Sequence, residues 1–599
     1  MRTKLYILAS LLMVASFVLG ACAAPGTPIV ETRIVEVAGT PQIIEVTAPP
    51  PPPAAGPKVL RYQRGFGSGD MPTLDPSKAT DTTSIQFLME THVGLTRQNE
   101  ETGALVPGMA TSWDTSADGL TLTFHLRNDV AWVRYDGTQV VQVMDCQETP
   151  QPRMVTAGDF AYGIERTLRP STASDYAYVL GFAMKGGAAY NSGETDDPST
   201  LGVEVIDDQT LAITFLEPAA YNPNIAGMWV AFAEPKWIIE GDDCTEARGD
   251  RAFEPGFNQS YGPFALKNWV HDSYASVVKN PFWPGTDDIP VPKLDEVIAQ
   301  FLDAVPAFAE YEAGNVDVTS VPLADIDRVK ADPVLSQELV IAPDPCTYYY
   351  GFNTKADVVS DVRVRRALSM AIDRQSLIDN VTKGGQEPAQ WFARPGLTAA
   401  PTIAGYPDLG VKFDATAAKA SLDEYLAETG QTADQLTITL MFNTSSGHQR
   451  IAEAIQQMWK DNLGLNVQLT NQEWAVYLKT IRDPVATPQI YRLGWCQDYP
   501  DANNFDREVF AFGGSSNPSE GGGINWKNQT YEDLVVQAAR ESDPAKRTDL
   551  YAQAEQILVY DDAAIAPIYW YTQVSVYKPN VEYTRTVIQH DHWEKWDIH

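Results

Sequence analysis

The chain has 599 residues, of which 44 are basic and 78 acidic, and its formal net charge is −34. Such an excess of negative charge argues against binding to nucleic acid and to anionic membrane surfaces, because both attract basic proteins. A chain of this length is too long to fold around one ordinary hydrophobic core. Its hydrophobic fraction of 44% is typical of globular proteins. Two or three globular domains are therefore expected.

The first residues have the features of an export signal. Arg2 and Lys4 precede an apolar run over residues 5–19, which is too short to remain as a membrane-spanning helix. The run ends in Leu-Gly-Ala-Cys, which resembles a bacterial lipobox, where the cysteine is acylated and becomes the new N-terminus. We predict a lipoprotein signal peptide at 1–21 and a lipid anchor on Cys22 at the outer face of the cell membrane. The alternative is an ordinary signal peptide with a chance cysteine.

Residues 22–57 are rich in proline and include five consecutive prolines at 49–53. Such a composition favours extended, semi-rigid backbone, so this segment is interpreted as a tether between the anchor and the folded body. Two patches rich in Val and Ile, at 29–37 and 43–46, could form weak strands but are assigned to the tether.

Signals for strands and helices then alternate along the chain without a short repeat. The alternation of residues 121–126 and 211–215 predicts half-buried strands. Capping residues and helical spacing predict a helix from Asp361 to Gly384 and others at 414–430, 447–463 and 547–560, with a strand at 465–469. Strands mixed with helices over this length indicate α/β lobes.

Four cysteines remain after Cys22, and an even number in an exported chain suggests two disulfides. They are Cys146, Cys244, Cys346 and Cys496. The chain has no C-x-x-C, so neither a zinc site nor a thioredoxin-type motif is expected.

No catalytic motif is present: the chain lacks G-x-S-x-G, H-E-x-x-H and a Walker-type loop. His590 and His592 form an H-x-H pair that could bind a metal, although a solvated chain end is the favoured interpretation. No pair of carboxylates stands out as a glycosidase dyad. We therefore expect a protein that is not an enzyme and has no cofactor or metal.

Aromatic residues interleaved with polar groups are the most informative feature. The clusters are Tyr348 to Tyr350, Trp474, Trp495 and Tyr569 to Tyr571. Core packing explains many aromatics, but Tyr and Trp also line adaptable ligand clefts.

Several of these segments match one known family in its own order along the chain. The chain resembles the bacterial extracellular solute-binding proteins of family 5, which serve peptide and nickel ABC importers, over nearly all of residues 58–599, and within them the oligopeptide-binding proteins. The matching segments are TLDPSKATD, GALVPGMATSWD, LTFHLRNDVAW, VTAGDFAYGIERTLRP, YGPFALKNW, CTYYYGFNT, DVRVRRALSMAIDR, NQEW and GWCQDYPD.

The resemblance implies an α/β clamshell like that of periplasmic binding proteins, with a ligand held between two lobes and an extra domain inserted in the first lobe. The implied boundaries are 58–91, 232–345 and 572–599 for the first lobe, 92–231 for the inserted domain and 346–571 for the second lobe.

The resemblance also implies ligand-binding residues. Asp498 would pair with the α-ammonium of a peptide, and Arg492 and His448 would meet its C-terminal carboxylate. Aromatic residues would line the side-chain pockets. These are Trp495, Trp474, Tyr176 and Tyr349.

Some positions depart from the family. Thr382 stands where relatives can have a carboxylate-binding lysine, with Lys383 adjacent, and Gly351 and Thr80 each replace an acidic residue. Residues 134–154 form an insertion. The motifs around Cys346 and Cys496 imply a disulfide between them, which leaves Cys146 and Cys244 as the second pair.

The function implied is capture of oligopeptides and their delivery to the permease subunits of an ABC importer by an extracytoplasmic monomer. The alternatives are the same fold binding another solute, such as an oligosaccharide or a metal chelate, a peptide-sensing receptor without transport, and a secreted hydrolase.

Overall fold

A computed structural model of the protein describes residues 30–37, 40–47, 56–65 and 69–599. The chain divides into two units, Met1–Pro57 and Lys58–His599. The signal peptide expected at 1–21 and the lipidation site Cys22 lie outside the described residues. Within the part of the chain that is described, no helix is both long enough and apolar enough to cross a membrane.

The segment interpreted as a tether contains regular structure. Val30–Val37 and Thr40–Thr47 pair as an antiparallel hairpin, with Val30 opposite Thr47 and Val37 opposite Thr40. The two Val/Ile-rich patches therefore form the weak strands that their β-branched residues allow, and the assignment of this segment to a tether stays a prediction.

One large mixed sheet runs through the second unit. The sheet is ordered as Phe264–Val270, Tyr274–Lys279, Glu296–Gln300, Val59–Tyr62, Val318–Ser320, Ile565–Tyr577, Leu339–Phe352, Ile490–Cys496, Ile438–Asn443 and Val467–Gln472, with Glu387–Pro388 beside Ile565–Tyr577. The strands before Ile565–Tyr577 in this order form the core of the first lobe, and those after Leu339–Phe352 form the core of the second.

Leu339–Phe352 and Ile565–Tyr577, called here the hinge strands, are the longest strands of this sheet and pair antiparallel with each other. Their register shifts between Pro343 and Thr347. Beyond this shift, Leu339–Phe352 also pairs with Ile490–Cys496 of the second lobe. The hinge strands therefore connect the two lobes as a clamshell.

The inserted domain lies in the chain between Val59–Tyr62 and Phe264–Val270, both strands of the first lobe. Its main sheet is ordered Val203–Asp207, Thr210–Thr214, Thr121–Leu126 and Ala110–Thr115. Shorter pairs are Thr96–Gln98 with Leu105–Pro107, Val133–Tyr135 with Val140–Gln142, and Val581–Glu582 with Asp597–Ile598 near the C-terminus.

Helices cover the sheets. They are Thr82–Thr91, Ala157–Leu168, Ala177–Ala183, Gly187–Asn191, Asn222–Ala226, Lys236–Ile239, Ala304–Glu312, Ile326–Ala331, Leu335–Glu338, Val362–Met370, Arg374–Leu377, Ala415–Thr429, Ser446–Leu463, Trp474–Arg482, Ala502–Phe510, Gln529–Arg540 and Pro544–Gln556.

The helix predicted from Asp361 is shorter than expected. Asp361 caps it by accepting from the backbone N–H of Arg363, as predicted, but the helix ends at Met370. Asp373 then accepts from the backbone N–H of Ser376 and begins a second, short helix. A second capping residue inside the pattern therefore divides it.

Both disulfides are present. Cys346 and Cys496 lie opposite each other on adjacent strands, with their Cα atoms 4.0 Å apart. Cys146 and Cys244 join residues 134–154 to the chain after Lys236–Ile239, with Cα atoms 5.6 Å apart.

Candidate functional site

Asp498 lies just beyond the strand Ile490–Cys496, where the chain turns into the helix Ala502–Phe510. Asn504 holds this turn: its Oδ1 accepts from the backbone N–H of Asp498 at 2.9 Å, and its Nδ2 donates to Asp498 Oδ2 at 2.9 Å. Burial raises the pKa of Asp498 to about 7, and no basic side chain among the described residues forms an ion pair with it. Asp498 is thus a desolvated carboxylate without a cation.

Asn504 also links Asp498 to a second buried acid. Its Nδ2 donates to Glu508 Oε2 at 2.7 Å, and the Tyr499 hydroxyl donates to Glu508 Oε1 at 2.6 Å. Burial raises the pKa of Glu508 to about 8. A cation that binds beside Asp498 would therefore lower the pKa of both carboxyl groups and favour their ionised forms.

Aromatic stacking across the cleft covers this group. The ring of Tyr176, from the inserted domain, lies nearly parallel to that of Trp495 in the second lobe, with centroids 6.2 Å apart. Trp495 Nε1 donates to Asn504 Oδ1 at 3.2 Å. The structure therefore brings Tyr176 and Trp495 together beside Asp498.

Arg492 lies on the strand Ile490–Cys496, six residues before Asp498, and is 7% exposed. Its guanidinium is 4.4 Å from the ring centroid of Tyr348, its Nη1 donates to Asn443 Oδ1 at 3.1 Å, and its Nη2 donates to the Tyr571 hydroxyl. The titratable groups around it are tyrosines, whose phenols are uncharged, and no carboxylate of the described chain pairs with it. Arg492 is thus a buried cation without an anion.

His448 lies beside this guanidinium, in the first turn of Ser446–Leu463. Its Nδ1 is 3.5 Å from the Tyr348 hydroxyl. Burial and the charge of Arg492 hold the pKa of His448 well below its usual range. His448 is therefore neutral at pH 7 and offers a polar contact without a charge.

Trp474 begins the helix Trp474–Arg482 and stacks on Tyr477 with centroids 6.2 Å apart. At the other end of this helix, Arg482 Nη1 lies 3.1 Å from Asp175 Oδ2 of the inserted domain and 3.5 Å from Thr80 Oγ1 of the first lobe. The helix Trp474–Arg482 therefore begins with Trp474, a predicted ligand contact, and ends with Arg482, which contacts residues on the other side of the cleft.

Tyr349 is not brought to the charged groups. Its ring packs against Phe392 and Phe510, with centroids 5.1 Å and 5.7 Å away, and its hydroxyl lies 2.7 Å from Ser516 Oγ. Successive residues of a strand face opposite sides, so Tyr348 rather than Tyr349 faces Arg492. Tyr349 therefore packs in the core and does not line the ligand site, contrary to the expectation.

The departures from the family have structural explanations. Thr382 is buried and donates to Gln386 Oε1 at 2.9 Å, while Lys383 pairs with Asp327 of the first lobe. A Cβ on Gly351 would lie 2.3 Å from the ring of Tyr491, so no acidic side chain fits there. Neither Thr382 nor Lys383 replaces the carboxylate-binding lysine.

The H-x-H segment is not a solvated chain end. His592 is buried, and its Nδ1 lies 3.2 Å from Glu100. Burial and neighbouring cations lower the pKa of the half-buried His590 to about 3.

Sequence reasoning missed three residues of the site, which are Asn504, Gln98 and Arg482. Gln98 Nε2 donates to the backbone carbonyl of Asp498 at 2.7 Å across the cleft. The two residues are 400 positions apart, so no local pattern could have identified the contact.

Comparisons with known proteins agree with this architecture. The profile described as "Bacterial extracellular solute-binding proteins, family 5 Middle" matches residues 104–517. The oligopeptide-binding protein OppA of Bacillus subtilis is 32% identical over 529 residues, which cover 85% of this chain and 87% of that protein.

Two solved structures of relatives differ in how well they superpose on this chain. Haemophilus influenzae OppA in complex with the peptide RPPGFSPFR is 25% identical, with a TM-score of 0.78 over 91% of this chain and 99% of that chain. The unliganded open form of the murein tripeptide binding protein MppA is 29% identical, yet its TM-score is 0.58 over 91% and 98%. The lobes are thus arranged more as in the peptide complex than as in the open form. The chain belongs to the bacterial extracellular solute-binding proteins of family 5.

Proposed function

We propose that this protein captures short oligopeptides between its lobes and delivers them to the permease of an ABC importer. The α-ammonium of the peptide pairs with Asp498, and its C-terminal carboxylate pairs with Arg492. The oligopeptide-binding relative and the peptide complex described above support this ligand class.

The observation that carries the proposal is a pair of oppositely charged groups without partners, Arg492 on the strand Ile490–Cys496 and Asp498 two residues beyond its end. Asp498 is a half-buried, desolvated carboxyl group without a cation, and Arg492 is a buried cation without an anion. A buried charge is costly unless it is paired, and a zwitterionic ligand that lies along the strand pairs both. The six residues from Arg492 to Asp498 span at most roughly 20 Å at ~3.3 Å per residue, which limits an extended ligand between these groups to about six residues.

Side chains of the ligand are accommodated by the aromatic walls of Trp474, Trp495 and Tyr176. Broad apolar rings that leave room for water select weakly among side chains, whereas the ends of the ligand are bound by charge. Affinity therefore depends strongly on free termini and weakly on most side chains.

Closure of the lobes is part of the same function. Contacts that a ligand makes only in the closed arrangement shift the population toward it, and the permease recognises that arrangement. Polar contacts from Arg482 to Asp175 and from Gln98 to Asp498 join the closed lobes.

The remaining assignments belong to the same proposal. The protein acts as a monomer outside the cytoplasm, held by a lipid on Cys22 and by residues 22–57, and catalyses no reaction. The first lobe comprises 58–91, 232–345 and 572–599, the inserted domain 92–231 and the second lobe 346–571.

The test is native mass spectrometry of protein purified from a peptide-rich medium, followed by calorimetry with synthetic peptides. We expect a ladder of copurified peptides of similar length and Kd values that rise when either terminus is blocked. Copurification of an oligosaccharide or a metal chelate, with no peptide bound in calorimetry, would refute the proposal.

A further inference from the structure

The helices Ala304–Glu312 and Ser446–Leu463 begin next to each other on opposite sides of the cleft. Each lies in the chain between two sheet strands of its own lobe, the former in the first lobe and the latter in the second. Their N-termini meet at Asp303, the residue that directly precedes the helix of the first lobe. Asp303 therefore connects the two lobes.

The carboxylate of Asp303 is shared between the two helices. Its Oδ1 accepts from the backbone N–H of Val305 at 3.2 Å, which caps the helix Ala304–Glu312. The same oxygen accepts from the hydroxyl of Ser446 at 2.6 Å, and Oδ2 accepts from the backbone N–H of Ser446 at 3.1 Å. Both oxygens are thus engaged by groups at the N-termini of helices.

The helix Ser446–Leu463 lacks a side-chain cap from its own lobe. Ser445 occupies the N-cap position, yet its side chain makes no capping hydrogen bond. The first N–H groups of a helix have no partner within the helix and carry a partial positive charge, so a carboxylate is favourable there. Asp303 therefore supplies from the first lobe the cap that the second lobe does not provide.

An apolar contact covers the same helical turn. Leu323 packs against the hydrophobic cluster of Phe308 in the first lobe and against that of Trp459 in the second. A Cβ on Gly447, the residue after Ser446, would lie 3.8 Å from Leu323 Cδ1. Opening the lobes would break the polar and the apolar contact together, because each contact has one partner in each lobe.

This turn also adjoins the proposed ligand site. His448 lies two residues after Ser446, beside the guanidinium of Arg492. Asn443, three residues before Ser446, accepts from Arg492 Nη1 at 3.1 Å. The cap from Asp303 therefore forms beside the end of the cleft where the carboxylate of the ligand is proposed to bind.

We propose that Asp303 is an interlobe latch. It caps the helix Ser446–Leu463 only when the lobes are closed, and it thereby stabilises the closed arrangement and slows the release of every bound peptide. Asp303 is a positioning residue in this role and touches no ligand atom. The inference rests on the proposed function, because it concerns how captured peptide is retained.

The variant Asp303→Ser separates the two roles of the carboxylate. Serine caps helices about as well as aspartate, so the helix Ala304–Glu312 keeps its cap, but the single, closer oxygen of serine cannot also serve Ser446. We expect the Kd of every peptide to rise about fivefold, since loss of a cap changes an equilibrium by about this factor. Stopped-flow fluorescence should show faster dissociation and association that is no slower, and blocking either end of the peptide should not change the factor.

The variant Ser446→Ala tests the contact from the other side. It removes one of the two bonds to Asp303 and should raise Kd about two- to threefold by the same route. Combined with Asp303→Ser it should have no further effect, because the contact is already lost. The control is Asp543→Ser at the cap of Pro544–Gln556, where the carboxylate accepts from its own helix alone among the described residues. This control should keep the wild-type Kd and dissociation rate.

The outcomes separate this inference from the proposed function. Wild-type affinity and dissociation in Asp303→Ser, or effects of the two variants that add up, would overturn the latch and leave peptide capture intact. A loss confined to peptides with a free carboxylate would overturn it too, because Asp303 would then act on one end of the ligand. If Asp303→Ser fails to fold, the dissociation rate of Ser446→Ala decides.

Absence of peptide binding by the wild type would overturn the proposed function but would not decide the latch. X-ray scattering of the unliganded proteins decides it in that case. Asp303→Ser should have a larger radius of gyration than the wild type and than Asp543→Ser, and equal radii would overturn the latch as well.

Discussion

Asn504 donates to Asp498 Oδ2 at 2.9 Å and accepts from the backbone N–H of the same residue at 2.9 Å. A single amide therefore fixes both the backbone and the side chain of the carboxylate. Pre-organisation of this kind strengthens binding because little freedom is lost when a ligand arrives. Asp498 is accordingly the first residue to test.

Asp498→Asn should weaken binding of peptides with free N-termini at least tenfold and change the binding of N-acetylated peptides little. The reason is that the ammonium would be buried without a counter-ion, which costs more than the ~1.4 kcal/mol of a tenfold change. Calorimetry with matched free and acetylated peptides measures the effect, and Asp434→Asn, at an exposed site of the second lobe, is the control. Equal losses for both ligands would remove Asp498 from this role.

Binding should also depend on pH through the same carboxyl group. Its pKa is raised to about 7 in the unliganded protein, and only the ionised form pairs with an ammonium. As the pH falls below about 7 the carboxyl is protonated, so affinity should decrease by up to about tenfold per pH unit. Titrations between pH 5 and 8 test this, with Asp498→Asn expected to show a flat profile. The same slope in that variant would assign the dependence to another group.

Arg492→Met should weaken binding of peptides with a free carboxylate about tenfold or more and leave C-terminally amidated peptides nearly unaffected. The unliganded variant should lose no more than about 1–2 kcal/mol, because the guanidinium has hydrogen bonds to Asn443 and Tyr571 but no carboxylate partner to lose. The contrast is Arg547→Met, since Arg547 forms two bonds of 2.7 Å and 2.8 Å to Asp501, and breaking this buried pair should cost about 3–5 kcal/mol. Thermal melting separates the two variants. Strong destabilisation by Arg492→Met would show that its role is structural.

Arg482→Met should lower affinity about two- to fivefold for every peptide, regardless of blocked ends. The residue contacts Asp175 and Thr80 across the cleft, so its loss destabilises the closed arrangement and not one ligand contact. X-ray scattering of the unliganded variant should show a larger radius of gyration. Arg363→Met, which removes a pair within the second lobe, is the control. An effect limited to one class of peptide would instead place Arg482 in direct contact with ligand.

Replacing both Cys346 and Cys496 by serine should lower stability by about 2–4 kcal/mol, because the bond closes a loop with a sequence separation of 150. It should also weaken peptide binding, since Cys496 is two residues from Asp498. Replacing Cys146 and Cys244, which are exposed, should leave binding unchanged. Denaturant titration and calorimetry measure the two effects. Unchanged binding in the first double variant would show that Asn504 positions Asp498 without the disulfide.

Local patterns predicted the local structure well. The strand Thr121–Leu126 and the helix Ala415–Thr429 were identified from alternation and capping, and the structure confirms both. The helix expected to continue from Asp361 to Gly384 was wrong because Asp373 begins a new helix within it. The resemblance to the family supplied the two-lobed architecture, which no periodicity alone would have given.

The site was predictable only in part. The resemblance proposes Asp498, Arg492 and Trp495 as ligand contacts, and these stay predictions. An aromatic triplet does not reveal which face of its strand meets the cleft, so Tyr349, which packs in the core, was misassigned. Contacts of Gln98 depend on how two lobes close, and that geometry is encoded in no single segment.

The hinge strands belong to one sheet that continues through both lobes. Opening is therefore expected to twist a continuous hydrogen-bonded ladder, so that the pairing of the hinge strands, and not the length of a loop, limits the range of motion. A lobe separated from the other would expose an unpaired hinge strand at the edge of its sheet. The two lobes should accordingly unfold together in one cooperative transition, and a lobe expressed alone should aggregate.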